Sequence, residues 1–334
     1  MRVLVMGGTW FLGYAMAEEA VQRGHEVTVF NRGKSGSAPV GVSVVHGDWQ
    51  IAADLTRLAK HGPFDLVLDS SGQVPSEVLA GARALSDAGR YVYTSSVSAY
   101  VGWPVTPLTE DSETLPCPSN AGASYGEDDP RGYPTRYGYL KAGCERAVVE
   151  TFGDRGVILR PGVILGVREY VGRLPWWLRR VARGGRVLAP GRPDQPIQVV
   201  DVRDVAAFAL KAGVDGLGGA FNLAAPPGAT FENLLSACRA ETGSSAEFVW
   251  VDDDTLAVQG VRQWTELPLW RTYPGTWRVS WDKAAEAGFM CRPIGQTVAE
   301  TWAWMSSGGS AVASDRASEL GIGSEKEQRI LGLL

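Results

Sequence analysis

The sequence predicts an α/β protein: a doubly wound parallel sheet with a smaller C-terminal substrate-binding subdomain. Three observations predict it. Residues 1–30 read as strand, glycine-rich turn, helix and strand in immediate succession. Short apolar runs then alternate with helical stretches as far as about residue 165. Beyond that the rhythm turns irregular and tryptophan-rich, with Trp176, Trp177, Trp250, Trp264, Trp270, Trp277 and Trp281. Strands separated by helices imply a parallel sheet with right-handed crossovers.

The elements follow in order. Val3, Leu4 and Val5 form an apolar run without polar alternation, as a buried parallel strand requires. The turn Gly7-Gly8-Thr9-Trp10-Phe11-Leu12-Gly13 comes next, then a helix over 14–23 with Ala15, Ala17 and Ala20 small enough to lie close on a sheet. Gly24 and His25 end it, and 26–30 is the second strand. In such a βαβ opening a diphosphate sits on the helix N-terminus among free backbone N–H groups. A third strand over 42–45 leads to Gly47-Asp48-Trp49, a helix covers 52–60, and a fourth strand over 66–68 ends in Asp69-Ser70-Ser71-Gly72. A helix over 77–88 and a fifth strand over 90–94 lead to Ser95 and Ser96.

Residues 103–134 interrupt the alternation with six prolines and six acidic residues. A loop of this length is more often functional than idle, so it reads either as a partial lid or as a solvated insertion. A long helix over 137–152 and a sixth strand over 157–159, ending in Arg160-Pro161-Gly162, follow. Residues 198–204 return the chain to the first domain as strand and helix. Residues 306–324, rich in Ser, Gly and Ala, read as a flexible linker. Residues 325–334, with Ile330, Leu331, Leu333 and Leu334, read as a short docking helix. The expected division is a nucleotide-binding domain over 1–165, completed by about 197–215. A substrate-binding subdomain takes 166–196 and 216–305, and a tail takes 306–334.

Composition narrows the function classes. The chain has 334 residues, 45% hydrophobic and 21% charged, as in an ordinary globular enzyme. A net charge of −5 gives no electrostatic reason to expect a nucleic-acid partner. No apolar run approaches the ~20 residues needed to cross a membrane, and the first strand begins at once, so a cytoplasmic protein without a leader is expected. Cys117, Cys144, Cys238 and Cys291 fit no metal or redox spacing. His25, His46 and His61 all lie in the first half, which argues against a histidine triad or a zinc site.

The chemistry is carried by Tyr137-Gly-Tyr-Leu-Lys141, read with Ser96. A tyrosine and a lysine four apart on a helix share a face. A phenol titrates near pH ~10, and a nearby ammonium can lower that by about 1–3 units. Tyr137 is thereby a candidate general acid/base, and Ser96 a hydroxyl that orients a carbonyl or alcohol oxygen. The pattern is common by itself; its place downstream of a nucleotide-binding start gives it weight.

Taken together, these residues resemble the extended short-chain dehydrogenase/reductases, the NAD-dependent epimerase/dehydratase family. Gly7-x-x-x-x-x-Gly13, Ser96 four before Tyr100, Tyr137-x-x-x-Lys141, Asp48 after the third strand and Arg160-Pro161-Gly162 after the sixth all fall in that family's register. The likeness spans roughly residues 1–305 and is nearest to the branch opening Gly-Gly-Thr-x-Phe-x-Gly. It implies a Rossmann-like domain with a bound nicotinamide cofactor, NADP or NAD. Contacts to that cofactor are implied for Gly7, Thr9, Trp10, Phe11, Leu12, Gly13, Asn31, Arg32, Asp48, Trp49, Ser70, Ser71, Gly72, Lys141, Pro161, Gly162 and Val163. Lys141 would hold the nicotinamide ribose and Asp48 would meet the adenine. A homodimer through helices 77–88 and 137–152 is implied as well.

The chain departs from the family pattern at three places. Trp10 stands where relatives often have a glycine that lets the pyrophosphate approach, so the indole must point away or the loop must shift. Asn31-Arg32 stands where NAD-preferring relatives place an acid. A guanidinium binds a 2′-phosphate that a carboxylate would repel, which predicts NADP over NAD; otherwise Arg32 is a solvated surface charge. Val97 and Ser98 follow Ser96 where sugar dehydratases carry an Asp-Glu pair, which disfavours dehydration.

The leading expectation is therefore an NADP-dependent reductase of a small carbonyl substrate, with Tyr137 as acid, Lys141 lowering its pKa and Ser96 positioning the oxygen. A sugar epimerase uses the same three residues. The cations that a nucleotide-sugar diphosphate needs exist in Arg168, Arg173, Arg179, Arg180, Arg183, Arg186, Arg192 and Arg203. Trp176 and Trp177 read either as packed core or as a substrate wall. A third expectation is a binding protein that keeps the fold without the chemistry, as in plastid relatives associated with RNA.

Overall fold

Alternate residues of the first strand enter two different cores. In the computed structural model, which describes residues 1–130, 132–311 and 315–333, β1 (Arg2–Met6) sends Val3 and Val5 to one face and Leu4 and Met6 to the other. Such two-sided burial is what an apolar run without polar alternation demands. Residues 312–314 of the expected linker and Leu334 of the expected docking helix lie outside the described residues.

The chain continues through α1 (Phe11–Gln22), β2 (Glu26–Asn31), β3 (Ser43–His46), α2 (Ala52–Ala59), β4 (Leu66–Asp69), α3 (Pro75–Ala84) and β5 (Arg90–Thr94). After the long loop come α4 (Arg136–Phe152), β6 (Gly156–Pro161), β7 (Val163–Leu165), α5 (Arg173–Ala182), β8 (Arg186–Pro190), β9 (Val199–Asp201) and α6 (Val202–Val214). Then follow β10 (Gly219–Leu223), α7 (Phe231–Thr242), β11 (Glu247–Val251), α8 (Asp253–Val258), α9 (Asp282–Glu286), α10 (Ile294–Ser306) and α11 (Ser324–Leu331).

Seven strands form a parallel sheet in the order β10-β6-β5-β4-β1-β2-β3. The α/β class and the doubly wound parallel sheet expected from the sequence are what the structure has. Winding reverses between β1 and β4, and the crevice beyond their carboxyl ends is where an open α/β sheet binds ligands. Helices α1 and α6 cover one face, with Met16, Val205 and Phe208 in that core; α2, α3 and α4 cover the other, with Leu58, Val78 and Val148. β9 does not rejoin the large sheet as expected but pairs with β7. The seventh strand is β10, which the sequence reading left unassigned.

A second core gathers the parallel pairs β7–β9 and β8–β11 with α5, α7, α10 and α11. Trp177 and Trp270 are fully buried in it. Trp177 Nε1 donates to Pro268 O at 2.8 Å, so of the two readings of Trp177 the packed core holds. The long loop is tied down in its middle, where Leu108 N and Ser280 N exchange hydrogen bonds with Arg278 O and Leu108 O at 2.9 and 2.8 Å. Among its described residues, Trp103 and Tyr133 at its two ends reach the cavity described next.

Candidate active site

One cavity of about 820 Å³ runs from the carboxyl ends of β1, β2 and β4 to the second core. Its first half is the glycine-rich turn. Gly7 and Gly8 hold φ of +100° and +78°, and a Cβ at Gly13 would lie 2.7 Å from Ser70 Oγ and 2.8 Å from Gly8 N. The turn therefore closes only without side chains, and it leaves the start of α1 open. No side chain caps α1 and no acid stands in its first turn. Its free N–H groups and positive dipole end face the cavity. An uncapped twelve-residue helix behind a cradle that a Cβ would fill fits a dinucleotide diphosphate.

The cavity wall includes Gly7, Thr9, Trp10, Phe11, Leu12, Gly13, Asn31, Arg32, Asp48, Trp49, Ser70, Ser71, Ser96, Tyr137, Lys141, Pro161, Gly162 and Val163. Gly72 stands behind the wall, its carbonyl taken by Tyr93 Oη and Lys141 Nζ at 2.9 and 3.0 Å. The Trp10 indole lies against Tyr170 with ring centroids 4.3 Å apart, so the bulky departure in the glycine turn is held at the rim by a partner from the loop after β7. At the end of β2, Asn31 Oδ1 accepts from Gly33 N at 2.8 Å while its Nδ2 is buried without a partner. Arg32 reaches Asp48 at 4.0 Å in a solvent-facing pair.

Ser96, Tyr137 and Lys141 meet where this half joins the second. Gly138 makes that possible: a Cβ there would sit 2.2 Å from Ser98 O, so only glycine lets α4 pack against the backbone after β5. Ser96 lies beside the Tyr137 hydroxyl and favours its phenolate. Ser96 Oγ accepts from Ser98 N at 3.1 Å. Lys141 is 3% exposed and donates to Thr94 O at 2.9 Å, and to Gly72 O and Tyr93 Oη at 3.0 Å each. Burial pulls its pKa below the usual lysine value, against the pull of nearby Asp69 and Glu145. One helical turn further on, Glu145 receives Arg160 at 2.9 and 2.6 Å and the Ser95 hydroxyl, and Arg160 reaches Tyr100 Oη at 2.8 Å. This buried network holds the ends of β5 and β6 in place beneath Ser96.

One expectation is corrected here. Lys141 stands 5.9 Å from the centre of the Tyr137 ring, with its donors committed to two carbonyls and a phenol. Tyr137 turns 47% of its surface to the cavity, yet the surrounding walls desolvate its phenol and raise its pKa above 10.0, with Ser96 acting the other way. The net shift of the tyrosine in this arrangement is therefore upward, and the expected lowering is not what the site produces.

The second half holds residues the sequence reading missed or left among generic charges. Glu169 is 2% exposed and accepts from Arg173 N and Leu174 N at 2.8 and 3.1 Å, capping α5; burial raises its pKa. Arg173 lies 3.9 Å from Glu169, and its Nε is buried without a partner. Arg271 is 6% exposed, hydrogen-bonds the Tyr133 hydroxyl, and keeps a buried, unpartnered Nη1. It forms no salt bridge with a described carboxylate. Burial pushes its pKa down to about 9, so it is still a cation at neutral pH. Trp264 lies against both guanidiniums, 4.8 Å from Arg173 Cζ and 3.8 Å from Arg271 Cζ. No local pattern marks Glu169 or Arg271, since their roles depend on burial. Among the described residues no cluster of His, Cys, Asp or Glu is built to hold a metal ion, and no helix is long and apolar enough to cross a membrane.

Residues 3–77 match the NAD dependent epimerase/dehydratase family. The chain is 26% identical over 256 residues to the chloroplast stem-loop binding protein of 41 kDa b of Arabidopsis thaliana, covering 71% of this chain and 62% of that protein. It is 28% identical over 226 residues to the 2-alkyl-3-oxoalkanoate reductase of Stenotrophomonas maltophilia, covering 62% and 63%. The chain thus spans just over three fifths of these two relatives' lengths. In fold it is similar to the Bordetella bronchiseptica enzyme WbmG, solved in complex with NAD and UDP. The TM-score is 0.68 at 21% identity, covering 93% of this chain and 96% of that one.

Proposed function

We propose an NADP-dependent oxidoreductase of the NAD-dependent epimerase/dehydratase family, whose model matches residues 3–77, that reduces the carbonyl of a small substrate. One observation carries this reading: Ser96, Tyr137 and Lys141 open into the same cavity as the glycine-rich turn and the uncapped start of α1. A bound nicotinamide supplies hydride. Tyr137, protonated at neutral pH in its desolvated setting, donates its proton to the carbonyl oxygen as negative charge develops there. Ser96 holds that oxygen by a hydrogen bond. Lys141 is placed by its two carbonyl acceptors and Tyr93 to meet the ribose side of the cofactor.

NADP is favoured over NAD by the end of β2. An acid that would repel a 2′-phosphate is replaced by Asn31, whose Nδ2 is an unpaired donor, and by Arg32. The Arg32–Asp48 pair is solvent-exposed and long, so it holds Arg32 only weakly against a phosphate. A second reading, an epimerase of a nucleotide-linked sugar, is favoured by one specific observation: the far end of the cavity presents two buried guanidiniums with unpartnered nitrogens, suited to a phosphate-bearing substrate. A cytoplasmic homodimer packed through α3 and α4 belongs to the same proposal and rests on family resemblance.

The test begins with freshly purified protein, denatured and assayed by mass spectrometry for released nicotinamide nucleotide. Protein that arrives empty and then binds NADPH supports the reductase; dialysis-resistant, near-stoichiometric dinucleotide supports the epimerase. Arg32→Asp should shift the preference from NADPH toward NADH by about tenfold or more. Tyr137→Phe should lose about 10²–10⁴ in rate with NADPH affinity kept. A Tyr137→Phe variant with full activity would sink both readings.

A further inference from the structure

The loop between β7 and α5 lies against the glycine-rich turn. It runs from Gly166 to Gly172, whose φ values of +128° and +83° suit only glycine. Its Tyr170 ring stands 4.3 Å from the Trp10 ring and, edge-on, 5.8 Å from the Phe11 ring. Arg168 Cζ sits 3.8 Å from the centre of the Tyr14 ring, in the first turn of α1. Tyr170 thereby packs against the core of the large sheet, although Leu165 before it and Leu174 after it belong to the second core.

Two features set these contacts apart from ordinary packing. The backbone on both sides is strained: φ is +35° at Phe11 and +67° at Arg168, in the left-handed region that a residue with a side chain rarely adopts. Such backbone persists only where its surroundings fix it, and it gathers at ligand clamps and active sites. The stacked rings also shield little core, since Trp10 is 37% exposed and Tyr170 half-buried; both are part of the cavity wall. Their position supplies a reason. The diphosphate end of the cavity is the start of α1, and the chemical end is Tyr137 with Lys141. Tyr170 touches the first through Trp10 and Phe11. Burial raises the pKa of its phenol; Tyr137 adds to the rise, and Arg316, Arg173 and Lys141 oppose it, so the hydroxyl lies in the field of the second. A dinucleotide with its diphosphate on α1 and its reacting ring beside Tyr137 passes its nicotinamide riboside along the interval that Tyr170 spans.

We propose that Tyr170 is a cofactor-binding residue: with Trp10 it forms an aromatic wall that holds the nicotinamide half of the dinucleotide against the catalytic trio. This rests on the oxidoreductase reading above and deepens it, since no motif names Tyr170. A nicotinamide ring is flat, and cationic when oxidised, and an aromatic face attracts both kinds of group. The bulk of Trp10, at a place where glycine would serve the diphosphate, then has a use: it backs the Tyr170 ring.

The experiment measures binding to the full chain by calorimetry for wild type, Tyr170→Ala, Tyr170→Phe and Trp10→Gly. Two ligands are compared: NADPH, and 2′-phospho-ADP, which ends at the diphosphate and lacks the nicotinamide half. Tyr170→Ala should weaken NADPH about tenfold and leave 2′-phospho-ADP within about twofold of wild type. Tyr170→Phe keeps the ring and should bind both ligands as wild type does. The fluorescence gained by NADPH on binding should fall in Tyr170→Ala, where the ring loses its wall. Trp10→Gly should lose NADPH affinity relative to 2′-phospho-ADP, and because Trp10 is exposed this variant tests the wall even if Tyr170→Ala fails to fold. The combined variant should be no weaker than Tyr170→Ala, as expected of two rings acting together. Equal losses for the two ligands would make Tyr170 a support for the turn and overturn the proposal, as would unchanged NADPH affinity in Tyr170→Ala. Neither of these results touches the oxidoreductase reading. A wild type that binds neither NADPH nor NADH would overturn that reading and the wall with it.

Discussion

Lys141 sets the electrostatics of the catalytic trio by what it does not touch. Its three ammonium hydrogens go to Gly72 O, Thr94 O and Tyr93 Oη, and the Tyr137 phenol is governed chiefly by burial, which raises its pKa against Ser96, Arg316 and Arg173. Removing the lysine should therefore leave the tyrosine where it is. In Lys141→Met, difference titration of the phenols, referenced to a Tyr137→Phe background, should place Tyr137 within about half a unit of the wild type. NADPH affinity should fall about tenfold or more from the loss of a charged hydrogen-bond donor. A Tyr137 pKa that climbs by a full unit in this variant would show that Lys141 acts on it after all. The pH dependence of reduction has a definite sign. The acid form of Tyr137 is the useful one, and its pKa lies above 10.0, so the rate should hold through neutral pH and fall only in strong alkali. Tyr137, Lys141 and Ser96 were legible in the sequence because helical spacing and a position after a strand are local facts. Arg271 and Glu169 were not, because an arginine acquires meaning only when burial leaves its nitrogens without acceptors.

Where an element starts depends on which backbone groups find partners, and some of those partners cannot be read locally. The helix read from residue 14 begins at Phe11, because the preceding Trp10 offers no capping side chain and so leaves no start signal. β10 escaped notice because Gly-Ala-Phe-Asn-Leu has no β-branched residue and carries Asn222 into a full burial. Asn222 is tolerated there because Tyr100 Oη donates to its Oδ1 at 2.8 Å, a partner 122 residues away in the chain. By contrast, the start of α6 is capped in plain sight. Asp201 accepts from Arg203 N at 2.9 Å and from the Arg203 guanidinium at 2.8 and 2.7 Å. Burial works against ionisation of Asp201, but Arg203 and Arg292 outweigh it and hold its pKa below the ordinary aspartate value of 3.8. Since the folded pKa is the lower one, this contribution to stability is complete above the unfolded value and is lost as pH falls through the folded one. Asp201→Asn should therefore cost about 1–2 kcal/mol in urea unfolding at neutral pH, and the gap to wild type should be smaller in acid, below the ordinary aspartate value. An equal cost at both pH values would mean that the cap works through shape and not charge.

At the scale of the whole molecule, the chain repeatedly crosses between its two cores. It leaves the large sheet after β6 to build β7, α5, β8 and β9, returns for α6 and β10, and leaves again for α7 and β11. It returns once more to pack Ala284 and Phe289 against the first core before α10 completes the second. The first core is legible in the sequence through its strand–helix rhythm. The second was visible only as a surplus of tryptophans, because its two-stranded sheets are too short to impose a period. The two cores share the cavity: Gly13 and Tyr137 line it from one, Trp264 and Trp277 from the other. Neither core can lose its shape without disturbing crossings that the other needs, so the chain should unfold as one unit. A ligand that binds only the folded state stabilises whatever unfolds with its site, by about 2.7 kcal/mol at a hundredfold excess over Kd. Calorimetry with increasing NADPH should therefore show one transition moving upward as a whole. Two transitions, with only one moving, would mean that the cores unfold separately and that the wall formed by Trp264 and Arg271 contributes nothing to holding the dinucleotide half.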